Sequence, residues 1–540
     1  MNNATERSPY VRWMTYALFC VVLLTAAYFR FHLLDITPGW YPDEGTEIEI
    51  ATNWLNGEQQ YFSISQSTLV TGRLPLFHLV LASLFKVFGR DILVLRALTA
   101  GYGVIITALL FLLGREIWGD SVALLAAGLY AVYPNAVTYS RFGFIYNQFA
   151  LLNLLTFYAL WRYVRIEKNV WLVAACAFAG LSLVTGISAL PIAIFVILVV
   201  WLKRLPSLLW VVPLLLLAPA AYFFFMSISA PDALLNDLRY LFLDRVGTGV
   251  LFKVLFSVWN YKEIISWDVW FLVAAFGLTR LPNRQSRLFS SGYFWYMLFA
   301  TAASVPAITN LGFHYMIPML PWVAVGVAAF CWWGFPRLMR ALEEVFEVLR
   351  ARTRCLCYGT KLAQFVAPTA KAFFVGIMLF WIFISPFAVM LVQQKLVPGL
   401  ASPEVENVTV RDFENVDAVV EFINSRSLPD DVVLAPPQIG WLIDANVADF
   451  QQATAYQGGT TQNYPMDMAV QRFLFDCSPD NAKYAVLWTD WGNWASSKMP
   501  DVGDTISSVS NWPIVFQQAD WYVYANPSKM KTRETKDSSN

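Results

Sequence analysis

Trp40-Tyr41-Pro42-Asp43-Glu44-Gly45-Thr46-Glu47-Ile48-Glu49-Ile50-Ala51 follows directly on an apolar run, 13–34, that is long enough to cross a bilayer. Two adjacent carboxylates are costly to keep beside apolar material at a membrane surface. Asp43 and Glu44 therefore point to a reaction site facing outward, with the rest of the chain as its membrane scaffold. The spacing of Glu44, Glu47, Ile48 and Ala51 predicts a short helix opening near Pro42–Asp43. Asp43 then stands at the positive end of that helix, where its ionised form is favoured. That position suits a general base taking a proton from an incoming hydroxyl. It equally suits an N-cap aspartate with solvated acids behind it, and Glu44 shares the candidate catalytic position.

The surrounding composition supports the scaffold reading. Of 540 residues, 57% are hydrophobic and 14% charged, more apolar sequence than a soluble protein of this size needs. The formal net charge is zero, so there is no basic footprint for nucleic acid. The 22 tryptophans suit interfacial belts. Apolar runs predict eleven spans, at 13–34, 92–113, 121–140, 148–165, 170–186, 189–202, 208–228, 267–279, 290–309, 312–334 and 369–396. The break between 170–186 and 189–202 is placed at Gly186–Pro191, since Gly and Pro interrupt a helix. The six cysteines form no framework. Cys355-x-Cys357 is a weak metal signal and reads equally as two ordinary thiols. The first apolar run lacks a small-residue cleavage site, so it reads as a retained span.

Charge sets the orientation. With Arg7 and Arg12 cytoplasmic, the clusters at Arg115, Arg162/Arg165/Lys168, Lys203/Arg204, Arg280/Arg284/Arg287 and Arg337 through Lys361 all fall inside, as the positive-inside rule requires. Loop 35–91 and the chain from about 397 then lie outside. Counting Leu74–Phe88 as a span would invert every later loop. With His78 and Lys86 in it, this stretch is expected to lie in the outer interface instead. The fold class expected is thus an α-helical polytopic membrane protein, residues 1–398, followed by an extracytoplasmic α/β domain, 399–527. In that domain the strand-like runs 431–435, 484–488 and 521–524 alternate with a helical stretch at 416–425. A polar tail, 528–540, reads as disordered. The localisation expected is the plasma membrane.

Further candidates lie on the outer side. Arg73, in Thr71-Gly-Arg73-Leu-Pro75, sits where a guanidinium can grip a donor phosphate or snorkel to lipid headgroups. Arg141, in Tyr139-Ser-Arg141, is a second phosphate candidate. His314-Tyr315 opens the tenth span and reads as an interfacial hydrogen-bonder or a substrate contact. Thr489-Asp-Trp-Gly-Asn-Trp494 suits sugar stacking, or core packing of the outer domain.

On these residues the chain resembles the GT-C membrane glycosyltransferases, and within them the dolichyl-phosphate-mannose protein mannosyltransferase and aminoarabinose transferase group. Tyr41-Pro-Asp43-Glu44 resembles the acidic pair after that group's first span. Arg73-Leu-Pro75-Leu76 resembles its Lys-Pro-Pro-Leu segment. Arg96 stands where an Arg starts the second span, Tyr139-Ser-Arg141 resembles the Ser-Arg turn, and His314-Tyr-Met-Ile-Pro318 resembles the late Tyr-Leu-Leu-Pro run.

The resemblance implies inverting transfer of a sugar from a polyprenyl-phosphate donor to a protein, lipid or glycan acceptor on the outer face. Asp43 would be the base, Arg73 and Arg141 would bind the donor phosphate, and Arg96, His314 and Tyr315 would contact substrate. Two departures stand out. Asn147-Gln148 replaces an Asp after the Ser-Arg turn, and Gly72 replaces a metal-binding Glu. A divalent ion needs several hard oxygen or His ligands, and only Asp43 and Glu44 stand out, so no cofactor is expected, with a divalent cation as the open alternative. A transporter or flippase of a lipid-linked substrate is the competing reading, but no repeat of halves is visible and the acids sit in a loop.

Overall fold

The computed structural model describes residues 9–57, 73–240, 268–304, 313–337, 409–464 and 468–530, with Arg340, Glu344, Ile377, Phe380 and Met466 singly. The expected span 369–396, the Cys355/Cys357 pair, the 398/399 domain boundary and residues 531–540 lie outside these.

The membrane part is helical. Its helices are α1 (Pro9–Phe31), α2 (Pro42–Asn56), α3 (Pro75–Phe88), α4 (Ile92–Leu112), α5 (Gly114–Trp118), α6 (Asp120–Val132), α7 (Pro134–Arg141), α8 (Tyr146–Ile166), α9 (Asn169–Leu183), α10 (Leu190–Arg204), α11 (Leu208–Ser229), α12 (Pro231–Arg239), α13 (Trp270–Leu278), α14 (Arg284–Ser304) and α15 (Leu320–Ala329). The expected break before Pro191 is present, since α9 ends at Leu183 and a single 3₁₀ turn, Ile187–Ala189, leads into α10.

The span count is lower than expected by length and apolarity. Four helical stretches qualify among the described residues, or five if α6 and α7, bent by 56°, form one span. One of the four, Leu190–Ser229, joins two of the expected spans. Pro134 explains the bend: it opens α7, and a proline there forgoes the backbone hydrogen bond that would continue α6. α3 and α9 are apolar but short.

Close backbone approach holds the bundle together at α13 and α15. A Cβ on Gly277 would lie 1.9 Å from the Gly326 carbonyl oxygen, and one on Gly326 would lie 2.5 Å from Ala274. Only glycine lets these helices touch, as in small-residue packing between membrane helices. At the end of α1, buried Arg30 donates to the carbonyls of Tyr130 and Ala131, tying α1 to α6.

The C-terminal domain carries a five-stranded sheet of order β2-β1-β3-β5-β4, with β1 (Val432–Leu434), β2 (Asn446–Ala448), β3 (Ala482–Trp488), β4 (Ile514–Gln518) and β5 (Trp521–Ala525). β2, β1 and β3 run parallel, and β5 pairs antiparallel with β3 and β4. Its helices are α16 (Phe413–Asn424), α17 (Pro437–Gly440), α18 (Phe450–Tyr456), α19 (Thr489–Lys498) and α20 (Pro500–Ser510). Three strands and α16 were expected. β2 and β4 were not, because Asn446–Ala448 is too short to show alternation and Ile514–Gln518 borders an otherwise polar segment. The expected tail begins too early, since Pro527–Met530 forms a helical turn capped by the Asn526 side chain. Trp491 is buried against Phe450, so it packs the domain's core.

The domain is docked on α2. Trp40 and Val410 exchange two backbone hydrogen bonds, 2.8 and 2.9 Å, and the Trp40 ring meets Phe413 and Trp441. Arg472 forks onto buried Asp237 of α12 at 3.0 and 3.2 Å. The tightest point is Gly45, where an added Cβ would lie 1.8 Å from the Pro437 carbonyl oxygen. Backbone cannot yield there cheaply. Gly45→Ala is therefore expected to lower the thermal midpoint and abolish turnover together, which differential scanning fluorimetry and an activity assay would read.

Candidate functional site

Pro42 at the first helical position starts α2, and the backbone amide of Tyr41 donates to Glu44 Oε2 at 2.9 Å, closing the first turn. One turn further, Asp43 and Glu47 fall on the same face, four residues apart. Arg73, just before α3, meets both carboxylates: Nη2 lies 3.3 Å from Asp43 Oδ1, and Nη1 donates to Glu47 Oε1. The other Glu47 oxygen meets His78 Nε2. His78 is wholly buried on α3, and its Nδ1 lies 3.2 Å from the Leu74 carbonyl oxygen.

Asp43 is the most open member, with a side chain 25% exposed against 2% for Glu47. Burial opposes the Arg73 charge, but Glu47 and then Asp43 outweigh it and hold the guanidinium ionised, above its ordinary range. The result is a fixed cation beside one reachable carboxylate, with a second carboxylate clamped behind.

An aromatic wall completes this site. Tyr146 lies 5.4 Å from the His314 ring and 5.3 Å from Tyr315, and Phe144 lies 5.7 Å from His314. Tyr146 and Tyr315 share a hydrogen bond, and both Tyr146 and His314 lie within electrostatic reach of Asp43 and Arg73.

Three candidates lie elsewhere. Glu44 is wholly buried, and Arg96 grips it with Nε and Nη2, both at 2.7 Å. Gly143 N and Tyr41 N fill the remaining acceptor positions. Arg96 further donates to the carbonyls of Leu34, Asp35 and Gly39. Both are committed to shaping the 34–44 turn, which leaves Glu44 no lone pair and Arg96 no donor for substrate. Arg141 is buried too and donates to Phe29, His32, Leu33 and Thr37 carbonyls, where it caps the end of α1. The geometry thus corrects the catalytic expectation for Glu44, the phosphate expectation for Arg141 and the substrate expectation for Arg96. It brings Asp43, Arg73, His314 and Tyr315 together.

Glu47, His78 and Tyr146 were not singled out for this site. The four-residue spacing of Asp43 and Glu47 was a readable signal. His78 carried none, because its partner is 31 residues away. Among the described residues no group of three or more His, Cys, Asp or Glu could hold a metal ion. Glu47, the nearest candidate ligand, is already taken by Arg73 and His78. Of the described carboxylates in this cluster, that leaves Asp43 as the one with an open face.

The Asp449 carboxyl on the facing domain is also buried. Burial pushes it up to about 7, against the backbone bonds from Gln452 and Gln451. The folded state then holds a proton that the unfolded state has released between about pH 4 and 7. Stability should fall as pH rises through that window. Thermal melts at pH 5 and pH 8 should show the drop, and Asp449→Asn should flatten it.

Comparison with known proteins agrees with this architecture. Residues 73–223 match the family described as dolichyl-phosphate-mannose-protein mannosyltransferase. The crystal structure of ArnT from Cupriavidus metallidurans in the apo state is similar at a TM-score of 0.60 and 15% identity, over 97% of this chain and 99% of that one. The same protein bound to undecaprenyl phosphate gives 0.58 and 14%, with the same coverage. The Archaeoglobus fulgidus oligosaccharyltransferase in complex with Zn and sulfate gives 0.50 and 14%, over 90% of this chain and 70% of that one. The curated proteins contain no match by sequence.

Proposed function

Starting from a chain with the GT-C glycosyltransferase fold whose residues 73–223 match the protein mannosyltransferase family, we propose that it transfers a sugar from a polyprenyl-phosphate donor to a hydroxyl acceptor, with inversion. The observation that carries this reading is the Asp43–Arg73–Glu47 arrangement: one reachable carboxylate beside a cation that a second carboxylate holds in place. The Cupriavidus ArnT crystallised with undecaprenyl phosphate supports a lipid-phosphate donor by likeness of fold.

In this reading the acceptor O–H gives its proton to Asp43. The acceptor oxygen bonds to the anomeric carbon as the bond from that carbon to the phosphate oxygen breaks. The electron pair leaves on the polyprenyl phosphate, and Arg73 neutralises the charge that develops there. A phosphate entering the site takes Nη2 of Arg73 from Asp43, which frees the base for the acceptor. Glu47 and His78 keep Arg73 aimed throughout, and the Tyr146–His314–Tyr315 wall offers ring faces to a sugar. The protein is multi-pass, with the N-terminus cytoplasmic and this site on the outer face.

The test is donor binding. Arg73→Ala should weaken binding of undecaprenyl phosphate at least tenfold in lipid nanodiscs, with Arg73→Lys intermediate, because a single ammonium replaces a forked donor. Equal affinity in all three proteins would sink the phosphate role.

A further inference from the structure

The sheet order places a switch point in the C-terminal domain, on the side where α17 meets α2. From β1 the chain moves to β2 on one side and then to β3 on the other, all parallel. The strand order therefore reverses at β1, and in open α/β sheets ligands bind beyond the carboxyl ends of the strands at such a point. Two segments leave those ends: Ala435 to α17, and Asp449 with the first turn of α18. Ala435 N bonds the Ala448 carbonyl at 3.0 Å, so the segments lie side by side. α17 is the helix that presses on Gly45 of α2. The Tyr464 hydroxyl bridges the two halves electrostatically, feeling Asp449, Cys477 and Arg73.

The side chains there are anomalous for a domain core. Asp449 and Gln452 are both wholly buried. Asp449 Oδ1 accepts from Gln452 N at 2.6 Å, but among the described residues Oδ2 has no partner, and neither end of the Gln452 amide has one. A buried polar atom left unpaired forfeits its hydration with nothing in return, so three on two neighbouring side chains are a conspicuous cost for a purely structural role.

We propose that Asp449, Gln452 and Tyr464 form a subsite for sugar hydroxyl groups beside the Asp43–Arg73 centre. A carboxyl, an amide and a phenol match hydroxyl donors and acceptors. These three bring no Lys or Arg of their own for an anion, and they present polar atoms where an isoprenoid tail would need an apolar wall. Whether the sugar is the one transferred or the one accepting rests on the transferase reading; the subsite itself does not. Segment 461–464, which carries Tyr464, is held by Asn463 to Gln451 and by Tyr240 to the Gln462 carbonyl, and it must part for a sugar to enter.

The experiment uses the full chain in nanodiscs, with octyl α-mannoside, β-glucoside, β-galactoside and β-arabinoside as probes, read by saturation-transfer difference NMR. At least one glycoside should bind wild type. Gln452→Met should weaken it at least tenfold, change undecaprenyl phosphate binding less than twofold, and raise the thermal midpoint by removing an unpaired amide. No glycoside binding to wild type, or unchanged binding in Gln452→Met, would overturn the subsite. A bound glycoside displaced by polyprenyl-phosphate mannose but not by undecaprenyl phosphate assigns the subsite to the transferred sugar; simultaneous binding assigns it to the accepting one. Glycoside binding without turnover of any donor would leave the subsite standing and remove the transferase reading.

Discussion

Asp43→Asn should lower transfer by about 10²–10⁴-fold, the range a positioned general base supplies, while the protein stays folded. The amide is isosteric, and Asp43 contacts only the edge of Arg73, at 3.3 Å, whereas Glu47 holds the other nitrogen. Arg73 is therefore not released by the change. Donor affinity should stay within a few-fold or rise slightly, because the phosphate no longer competes with a carboxylate for Nη2. The measurement is single-turnover transfer of a radiolabelled polyprenyl-phosphate sugar at several pH values, alongside donor binding. A fall in binding equal to the fall in rate would make Asp43 a binding group and not the base.

Arg96→Met should be the most damaging single change to stability. It leaves the Glu44 carboxylate wholly buried with two backbone amides and no cation. Removing one partner of a buried ion pair costs about 3–5 kcal/mol. The variant should aggregate on size exclusion or melt far below wild type. Glu44→Gln combined with Arg96→Met should recover part of that loss, since no uncompensated charge stays buried, although one of the two backbone amides and the three carbonyls lose their partner; such a double-mutant cycle isolates the pair. The double variant also decides the role of Glu44. If it is folded and turns over donor, Glu44 shapes the loop. If it is folded and inert, the geometric correction to Glu44 fails.

The split between these two neighbouring acids explains what was legible in the chain. Asp43 and Glu44 are adjacent, so on a helix they point about 100° apart. The pair announces a special site, but only the path of the surrounding loop says which acid faces the cavity. That path depends on Arg96, 52 positions away, reaching Glu44 and three carbonyls. Arg73 was legible because a guanidinium beside Leu-Pro at the head of an apolar helix has few uses. Arg141 had the same outward look, yet its site is a set of carbonyls at the end of α1, which no side-chain pattern marks. His78 was read as polarity in an interfacial helix, and its bond to Glu47 is purely tertiary. The helices were legible from hydropathy, while the bend at Pro134 broke what was expected as one span, 121–140, and β2 was too short for any period to show.

The paired backbone of Trp40 and Val410 has a wider meaning. It joins the two ends of the described architecture three residues ahead of Asp43, and Gly45 presses on Pro437 two residues after it. The proposed proton acceptor is thus mounted between two fasteners, both made to the C-terminal domain. The helical half and the C-terminal half are consequently not separable modules, one for chemistry and one for recognition. The alignment of Asp43 is a property of their joint, and any shift of the C-terminal domain is felt there through a lever only a few residues long.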